Sequence, residues 1–299
     1  LLNSTNEPCS LIDFVMLIGF KALESYALTI SSPFSLYQNC FGVSKILKSP
    51  GPRPNGATCA TILFVLRFTI EPKAFSVGLR VEHLQSELNY SVFGKHMHLP
   101  DLPQAEYNLS AKPFDRGCYS FCMCPGGFVI AAASEEEGVV TNGMSFHSRS
   151  GNNANSAICV SVLPSDFLSD SPLAGIEFQR ELEHRAYIEG GRNYSAPVQT
   201  VGDFMNGTRG NLPKNIHPTY PIGVKPTDFS AWLPGFVTDT IRASMPQFAR
   251  KLACFGSKDA VFTGVETRTS SPVRITRGID MHSLKLQGVI PCGEGAGYA

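Results

Sequence analysis

Runs of apolar residues along the chain predict a protein of mixed α/β class. Residues 75–81 alternate between apolar and polar side chains, which is typical of a half-buried β-strand. Residues 128–132 and 157–163 are short, continuous apolar runs of the kind that form buried strands. Three more strands are predicted toward the C-terminus, at residues 261–267, 273–275 and 289–292.

The longest predicted helix begins near residue 171. Ser171 followed by Pro172 suits an N-cap and a first helical position, and the helical pattern continues to Glu189. Gly190 and Gly191 then supply a stop signal.

A second helical region, residues 237–252, is predicted as one or two short helices because Pro246 interrupts it. Residues 193–225 are rich in Pro, Gly and Asn, so we expect a long loop there, over or beside a binding site. Helices placed between strands near both ends suit a domain that is inserted into another domain.

Composition predicts a soluble protein large enough for two domains. The chain has 299 residues, of which 43% are hydrophobic, and this supports a sizeable core. Its 25 basic and 25 acidic residues cancel and form no basic patch, which argues against nucleic acid as a partner. Residues 11–30 are apolar but contain Asp13, Lys21 and Glu24, so we expect no membrane-spanning helix there and no membrane partner.

The nine cysteines are dispersed and odd in number, which favours a reducing compartment. We therefore expect the protein in the cytoplasm, or in a plastid if the source is a plant. Nothing in the pattern of residues indicates an oligomeric state.

A glycine-rich turn near the C-terminus offers the clearest chemistry. Gly293, Glu294, Gly295, Ala296 and Gly297 follow a short apolar run. The glycines permit backbone to approach a phosphate or a ribityl chain, and the carboxylate can accept hydrogen bonds from sugar hydroxyls. The alternative interpretation is a plain turn after a strand.

A dense polar run at residues 264–275 is a second candidate. Arg268 and Arg274 can meet a phosphate or a substrate carboxylate. Thr269 and Ser270 can donate hydrogen bonds to flavin or phosphate oxygens. The alternative interpretation is a solvated hairpin, since a Ser-Pro pair lies within the run.

Seven stretches of the chain together resemble a family of largely uncharacterised bacterial FAD-dependent dehydrogenases that has plastid relatives. They occur in the family's order from about Glu71 to the end of the chain. Several long motifs in the right order are far more specific than any one of them. The stretches are residues 73–83, 118–127, 140–145, 153–157, 172–180, 264–275 and 293–299.

The resemblance implies an FAD/NAD(P)-binding, Rossmann-like flavoprotein fold with an inserted α+β domain. It implies FAD as cofactor, NAD(P)H as electron donor, and a small-molecule substrate or electron acceptor as partner. In that family Glu294 would hold ribityl or ribose hydroxyls, and the turn from Gly293 to Gly297 would line the pyrophosphate or the ring edge. The polar run would order the ring or the substrate through Arg268, Thr269, Ser270 and Arg274.

The chain also departs from the family's pattern. The family carries a βαβ unit with a G-x-G-x-x-G turn for the FAD pyrophosphate, and this sequence has no such turn. We therefore expect the C-terminal part of a longer flavoprotein. The predicted divisions are an unassigned leader (1–56), part of the FAD-binding domain with a strand-rich segment (57–165), an inserted helical or substrate domain (166–255), and a truncated C-terminal FAD-binding segment (256–299).

Three nearby cysteines leave an alternative open. Cys118, Cys122 and Cys124 lack the C-x-x-C spacing of zinc sites, so we predict no metal site. Cys122 and Cys124 are candidate catalytic thiols because flavins exchange electrons with thiols, but all three also suit small buried side chains in a tight turn.

Three functional classes follow from these patterns. The first is an FAD-dependent oxidoreductase. The second is a non-catalytic fragment or pseudo-enzyme that lacks the glycine-rich FAD turn. The third is a thiol-redox or metal-binding protein built on the cysteines.

Overall fold

A computed structural model describes residues 68–210, 212–286 and 288–298. The predicted leader and the apolar stretch at residues 11–30 lie outside these residues. The described strands are β1 (Ile70–Pro72), β2 (Phe75–Leu84), β3 (Ser110–Ala111), β4 (Cys118–Cys124), β5 (Gly127–Ala131), β6 (Thr141–Ser145), β7 (Asn153–Val162), β8 (Ala196–Thr200), β9 (Val224–Pro226), β10 (Val261–Glu266) and β11 (Val273–Ile275). The described α-helices are α1 (Gln85–Phe93), α2 (Ala174–Glu189), α3 (Val201–Asn206) and α4 (Gly235–Lys251).

The chain divides into two compact units. One, here called the sheet unit, comprises Phe75–Val162 and Phe178–Thr269. The other, here called the terminal unit, comprises the described residues 68–74, 163–177, 270–286 and 288–298. The boundaries predicted at residues 57, 166 and 256 remain predictions.

A seven-stranded sheet forms the centre of the sheet unit, in the order β3-β4-β7-β2-β10-β8-β9. Its neighbours pair antiparallel except β8 and β9, which are parallel. Strands β2 and β7 pair along all ten of their residues, and both are buried almost throughout. The prediction of a mixed α/β protein is confirmed. Rossmann-like folds are built on a mostly parallel sheet, whereas this sheet is mostly antiparallel. The Rossmann-like part of the prediction therefore remains a prediction.

The two faces of this sheet differ in chemistry because side chains alternate along each strand. In β2, Val77, Leu79 and Val81 lie on one face, whereas Arg80 and Glu82 lie on the other. The apolar face packs against α4, which contacts β3, β4 and β7. The polar face lies under the hairpin formed by β5 and β6. Charged groups are therefore buried beneath a hairpin rather than exposed to solvent.

Two helix predictions can be compared with the structure. The first helix ends at Glu189 as predicted but begins at Ala174, two residues after Pro172. The prediction of an interrupted second helix is wrong, because α4 runs unbroken through Pro246. Its apolar side, which includes the buried Met245 and Phe248, holds the helix together although proline removes one backbone hydrogen bond.

Two other local predictions are wrong. The expected loop at residues 193–225 contains β8 and α3. Thr200 caps α3, since its side chain accepts a 3.1 Å hydrogen bond from the Asp203 amide. The strand expected at residues 289–292 is absent from the described chain there. Pro291 offers no amide hydrogen to a ladder, and Ile290 is exposed.

The terminal unit has a small core of its own. Strands β1 and β11 pair antiparallel, with Ile70 opposite Ile275. Phe68, Ile275 and Ala296 form a buried cluster against which Tyr298 packs. Within the described residues, every helix is too short or too polar to span a bilayer.

A buried histidine on the apolar face of β2 has its tautomer set by its neighbours. Nε2 of His83 lies 2.9 Å from the Tyr107 hydroxyl, which donates to Ser156 Oγ at 2.8 Å. Since the phenol has one hydrogen, His83 must donate through Nε2. Its Nδ1 has no hydrogen-bond partner in the described part of the chain, and burial lowers the pKa of His83 to about 4.

Acidification should therefore destabilise the protein through His83. The unfolded chain takes up a proton at this residue below about pH 6.5, whereas the folded chain does so only near pH 4. The contribution is complete above pH 6.5 and is lost as the pH falls to 4, a loss of about 3 kcal/mol. Urea denaturation across this range measures it. A His83→Gln variant keeps a donor for Tyr107 and should show a flatter curve; parallel curves would contradict the assignment.

Candidate functional site

A buried ion pair joins two strands of the central sheet. Arg80 on β2 and Glu266 on β10 are almost completely buried, at 0% and 2% exposure. Nε of Arg80 donates to Glu266 Oε2 at 2.9 Å, and Nη2 donates to Oε1 at 2.5 Å. Such bidentate pairing is the strongest arrangement open to the two groups.

The remaining hydrogens of Arg80 are also used. Nη1 donates to Asn155 Oδ1 at 2.8 Å and to the Cys122 carbonyl at 3.1 Å. Nη2 donates to Asn142 Oδ1 at 3.3 Å. These contacts and the two to Glu266 occupy all five guanidinium donors. Arg80 therefore holds neighbouring segments of the protein together and has no hydrogen left to donate to a ligand.

An irregularity in β10 places Glu266 on the correct face. Thr263 lies opposite Arg80, but Glu266 rather than residue 265 lies opposite Gly78. One extra residue in the strand reverses the face on which the following side chain lies. Without this bulge the Glu266 carboxylate would lie on the apolar side of the sheet.

A second buried carboxylate, Glu82, lies next to Arg80 on the same face of β2. It accepts hydrogen bonds from Asn153 Nδ2 at 3.0 Å and from the Thr219 hydroxyl and amide at 2.6 and 3.1 Å. Burial raises the pKa of Glu82, and these hydrogen bonds oppose the rise. The polar face thus carries one cation and two carboxylates, each with protein partners.

The predicted cysteine candidates lie beside this network. Cys122 is exposed, whereas Cys124 is partly buried and its Sγ lies 3.3 Å from the Cys122 carbonyl. Burial raises the pKa of the Cys124 thiol, an effect that Arg80 opposes. The pair lies in β4 and not in a turn, and a raised pKa does not favour a thiolate. No group of three or more metal-ligating side chains occurs in the described residues.

Arg268 and Thr269, predicted to face the cofactor, make protein contacts in the sheet unit. Nε and Nη2 of Arg268 donate to Glu183 of α2 at 2.6 and 2.7 Å. Thr269 Oγ1 donates to the carbonyl of Ser76 at 2.7 Å and accepts from its amide at 3.1 Å. Both side chains are buried, so these contacts anchor the segment after β10.

The other predicted cofactor residues belong to the terminal unit. Gly293 and Gly297 have φ of 77° and 84°, which favour glycine, and a short 3-10 turn lies between them. A Cβ on Gly297 would lie 2.6 Å from the Val273 carbonyl. Arg274 Nε donates to the Gly297 carbonyl at 3.2 Å. Strand β11 therefore holds the glycine-rich turn in place.

Lys73, which sequence reasoning missed, joins this cluster. Its Nζ lies 3.5 Å from Ser270 Oγ. Burial and then the charge of Arg274 lower the pKa of Lys73, while Glu294 opposes the shift. Burial raises the pKa of Glu294, and Lys73 opposes that rise. Arg274 also pairs with Glu71 at 3.3 Å, so two cations and two carboxylates interact beside a turn of small residues.

Sequence reasoning also missed Arg80, Glu82 and Glu266. The signal was present in β2, where Arg80 and Glu82 alternate with apolar residues in a strand that is long enough to be buried. Charged side chains in a buried strand almost always have hydrogen-bonding partners. The strand therefore indicated a buried polar network.

A family model now bears on these residues. The model described as "FAD-dependent protein, C-terminal domain-like" matches residues 74–269, about two thirds of the 299-residue chain. The chain belongs to this family. The family match supports the resemblance to FAD-dependent proteins and to their C-terminal part.

A relative from Clostridium beijerinckii, described as "Uncharacterized protein", is 43% identical over 240 residues. The match covers 80% of the present chain and 45% of the relative. The match therefore spans less than half the length of this relative.

Breaking the buried ion pair should destabilise the sheet unit strongly. Glu266→Gln leaves the Arg80 charge without its counter-ion, and we expect a loss of about 3–5 kcal/mol in the free energy of unfolding. Glu181→Gln is the matched control, because its pair with Arg185 has side chains 59% and 49% exposed. That change should cost less than about 1 kcal/mol. Chemical denaturation compares the two, and equal losses would contradict the role given to Arg80.

The hairpin over the network should not accept a side chain at Gly143. A Cβ there would overlap Arg80 Nη1 and Asn155 Oδ1. We expect Gly143→Ala to cost about 1–3 kcal/mol through overpacking. Gly235→Ala is the control, since a Cβ at that helical position has nothing within 4 Å. Thermal melting measures both, and an unchanged melting temperature for Gly143→Ala would show that the hairpin can move away.

Proposed function

We propose that this chain is part of an FAD-dependent oxidoreductase, a dehydrogenase whose substrate is a small molecule. The observation that carries the proposal is membership of a family of FAD-dependent proteins across residues 74–269. FAD accepts and donates electron pairs, and the protein's contribution in such enzymes is to bind, orient and tune the cofactor.

The residues of the terminal unit fit a ligand that has both phosphates and hydroxyls. Lys73 and Arg274 bring positive charge to the glycine-rich turn. Glu294 supplies a carboxylate that can accept hydrogen bonds from ribityl or ribose hydroxyls. Gly297 keeps the backbone close to strand β11, where a larger residue would clash. These residues would hold FAD, and Lys73 extends the set that the sequence indicated.

The sheet unit would supply a rigid scaffold for the substrate. Its charged groups are satisfied within the protein, so Arg80 and Glu266 would fix the hairpin instead of moving protons. Arg268, which donates two hydrogen bonds to Glu183, would likewise fix the segment after β10 in place. A role for Arg268 and Thr269 in ordering the flavin ring remains a prediction.

We further propose that the full-length protein contains a Rossmann-like dinucleotide-binding region outside the matched residues. The length of the Clostridium beijerinckii relative, of which the match covers 45%, leaves room for such a region. NAD(P)H as the electron donor remains a prediction from resemblance.

Incubation with FAD tests the proposal directly. The purified 299-residue chain should retain flavin absorbance after gel filtration, because the terminal unit holds the cofactor-binding cluster. Lys73→Met removes one cation from that cluster and should weaken FAD binding about ten-fold, as expected for a charge-assisted contact. Lys95→Met is the matched control, since Lys95 is exposed in the sheet unit and should leave binding unchanged.

The longer relative separates two reasons for failure. If the chain stays colourless but the Clostridium beijerinckii protein binds FAD, the cluster needs further sequence to hold the cofactor. If neither protein takes up FAD, the flavoprotein proposal is wrong.

A further inference from the structure

A cavity of about 650 Å³ opens at one end of the central sheet, within the sheet unit. The end of β2 and the start of α1 line it, together with the residues just before β7 and residues 215–219. This volume is in the range of small-molecule sites. Among its lining residues that the structure describes, none is Asp, Glu, Lys or Arg. Amides and hydroxyls supply most of the polar surface instead.

A chain of hydrogen bonds fixes the orientation of three amides at this cavity. The Gly126 amide donates to Gln85 Oε1 at 2.7 Å. Gln85 Nε2 donates to Asn89 Oδ1, and Asn89 Nδ2 donates to Gln104 Oε1, both at 2.9 Å. The side-chain oxygens of Gln85, Asn89 and Gln104 each accept one of these hydrogen bonds. The free end of Gln104 is therefore its Nε2 group, a donor that has no partner within the described residues.

Asn153 supplies the opposite polarity. Its Nδ2 donates to Glu82 at 3.0 Å and to the His217 carbonyl at 3.0 Å. A carboxylate and a carbonyl only accept, so the amide cannot turn round without losing both bonds. Its Oδ1 is therefore the remaining acceptor, and it has no partner among the residues at 68–210, 212–286 and 288–298.

An aromatic ring completes the lining. Phe128 of β5 lies at the cavity, and its ring centroid is 5.3 Å from that of Phe146. The two rings meet edge to face, which holds Phe128 in position. A flat ligand can stack on such a ring.

We infer that this cavity binds an uncharged, flat heterocycle that carries a hydrogen-bond acceptor and a donor, as a lactam does. The acceptor meets Gln104 Nε2 and the donor meets Asn153 Oδ1. Apart from the His217 imidazole, the lining offers a charged ligand no ionisable side chain to pair with, and burying an unpaired charge is costly. The inference stands on these contacts alone and does not depend on FAD.

Uracil is a suitable neutral probe, with benzoate and benzamidine as flat charged probes. Ligand-observed NMR titration of the 299-residue chain should show binding of uracil and much weaker binding of the two charged molecules. Gln104→Glu keeps the oxygen that accepts from Asn89 but replaces the donor end with a carboxylate oxygen. We expect uracil affinity to fall about ten-fold or more in this variant.

Gln247→Glu provides the matched control. It makes the same change of charge on α4, where Gln247 Nε2 donates to the Ala243 carbonyl of its own helix. Its affinity for uracil should stay within about two-fold of the unaltered chain. Phe128→Leu is a second variant in case Gln104→Glu fails to fold, and loss of the ring should weaken uracil several-fold. Melting temperatures identify any variant that is unfolded.

Three outcomes would overturn the inference. They are no binding of uracil, binding of a charged probe as tight as that of uracil, and full uracil affinity in a folded Gln104→Glu variant. Because FAD is absent from these titrations, their failure is distinct from failure of the flavin proposal.

Discussion

The pairing of Arg80 with Glu266 is the constraint on which the architecture of the sheet unit depends. A guanidinium at the centre of a sheet is costly to bury, so five acceptors must be gathered from separate segments. The bulge in β10 brings the carboxylate, β7 brings Asn155, and the hairpin brings Asn142. Burial lowers the pKa of Arg80, but the charge of Glu266 and its hydrogen bonds outweigh this and raise it. The cation is therefore retained in the folded state.

The same constraint separates supporting chemistry from binding chemistry. The charged groups on the polar face of the sheet already form hydrogen bonds and ion pairs within the protein, so few of their donors and acceptors remain free for a ligand. At the end of the sheet the lining becomes neutral, and amides take over from ion pairs. In the terminal unit the charges are less buried. Lys73 and Arg274 lie near one another, and Glu294 opposes the charge of Lys73. Glu71 pairs with Arg274 at 3.3 Å, with side chains 47% and 41% exposed. The two units therefore differ in the polar groups that they leave available.

Local patterns could predict part of this fold. The alternation in β2 and the boundary of α2 at Glu189 depend on neighbouring residues, and both were visible in the sequence. The continuity of α4 through Pro246 was not visible, because tertiary packing of its apolar side overrides a local helix breaker.

The candidate site was predicted less completely, for a physical reason. The polar run around Arg268 was recognised, but its partner Glu183 lies 85 residues away along the chain. Arg80 and Glu266 are separated by 186 residues, and only a one-residue bulge brings them to the same face. Contacts between residues so far apart depend on strand register and on the tertiary fold. They therefore produce no characteristic spacing in the sequence.

The amide chain from Gly126 to Gln104 has a consequence for recognition. Its polarity is set by the backbone amides of Gly126 and Ala105 and by the Ala105 carbonyl, so no amide along it can reverse alone. The rotamer freedom of these side chains is lost when the protein folds and not when a ligand arrives. The cavity is in this sense preorganised, because backbone groups of Gly126 and Ala105 determine which end of each amide is left free.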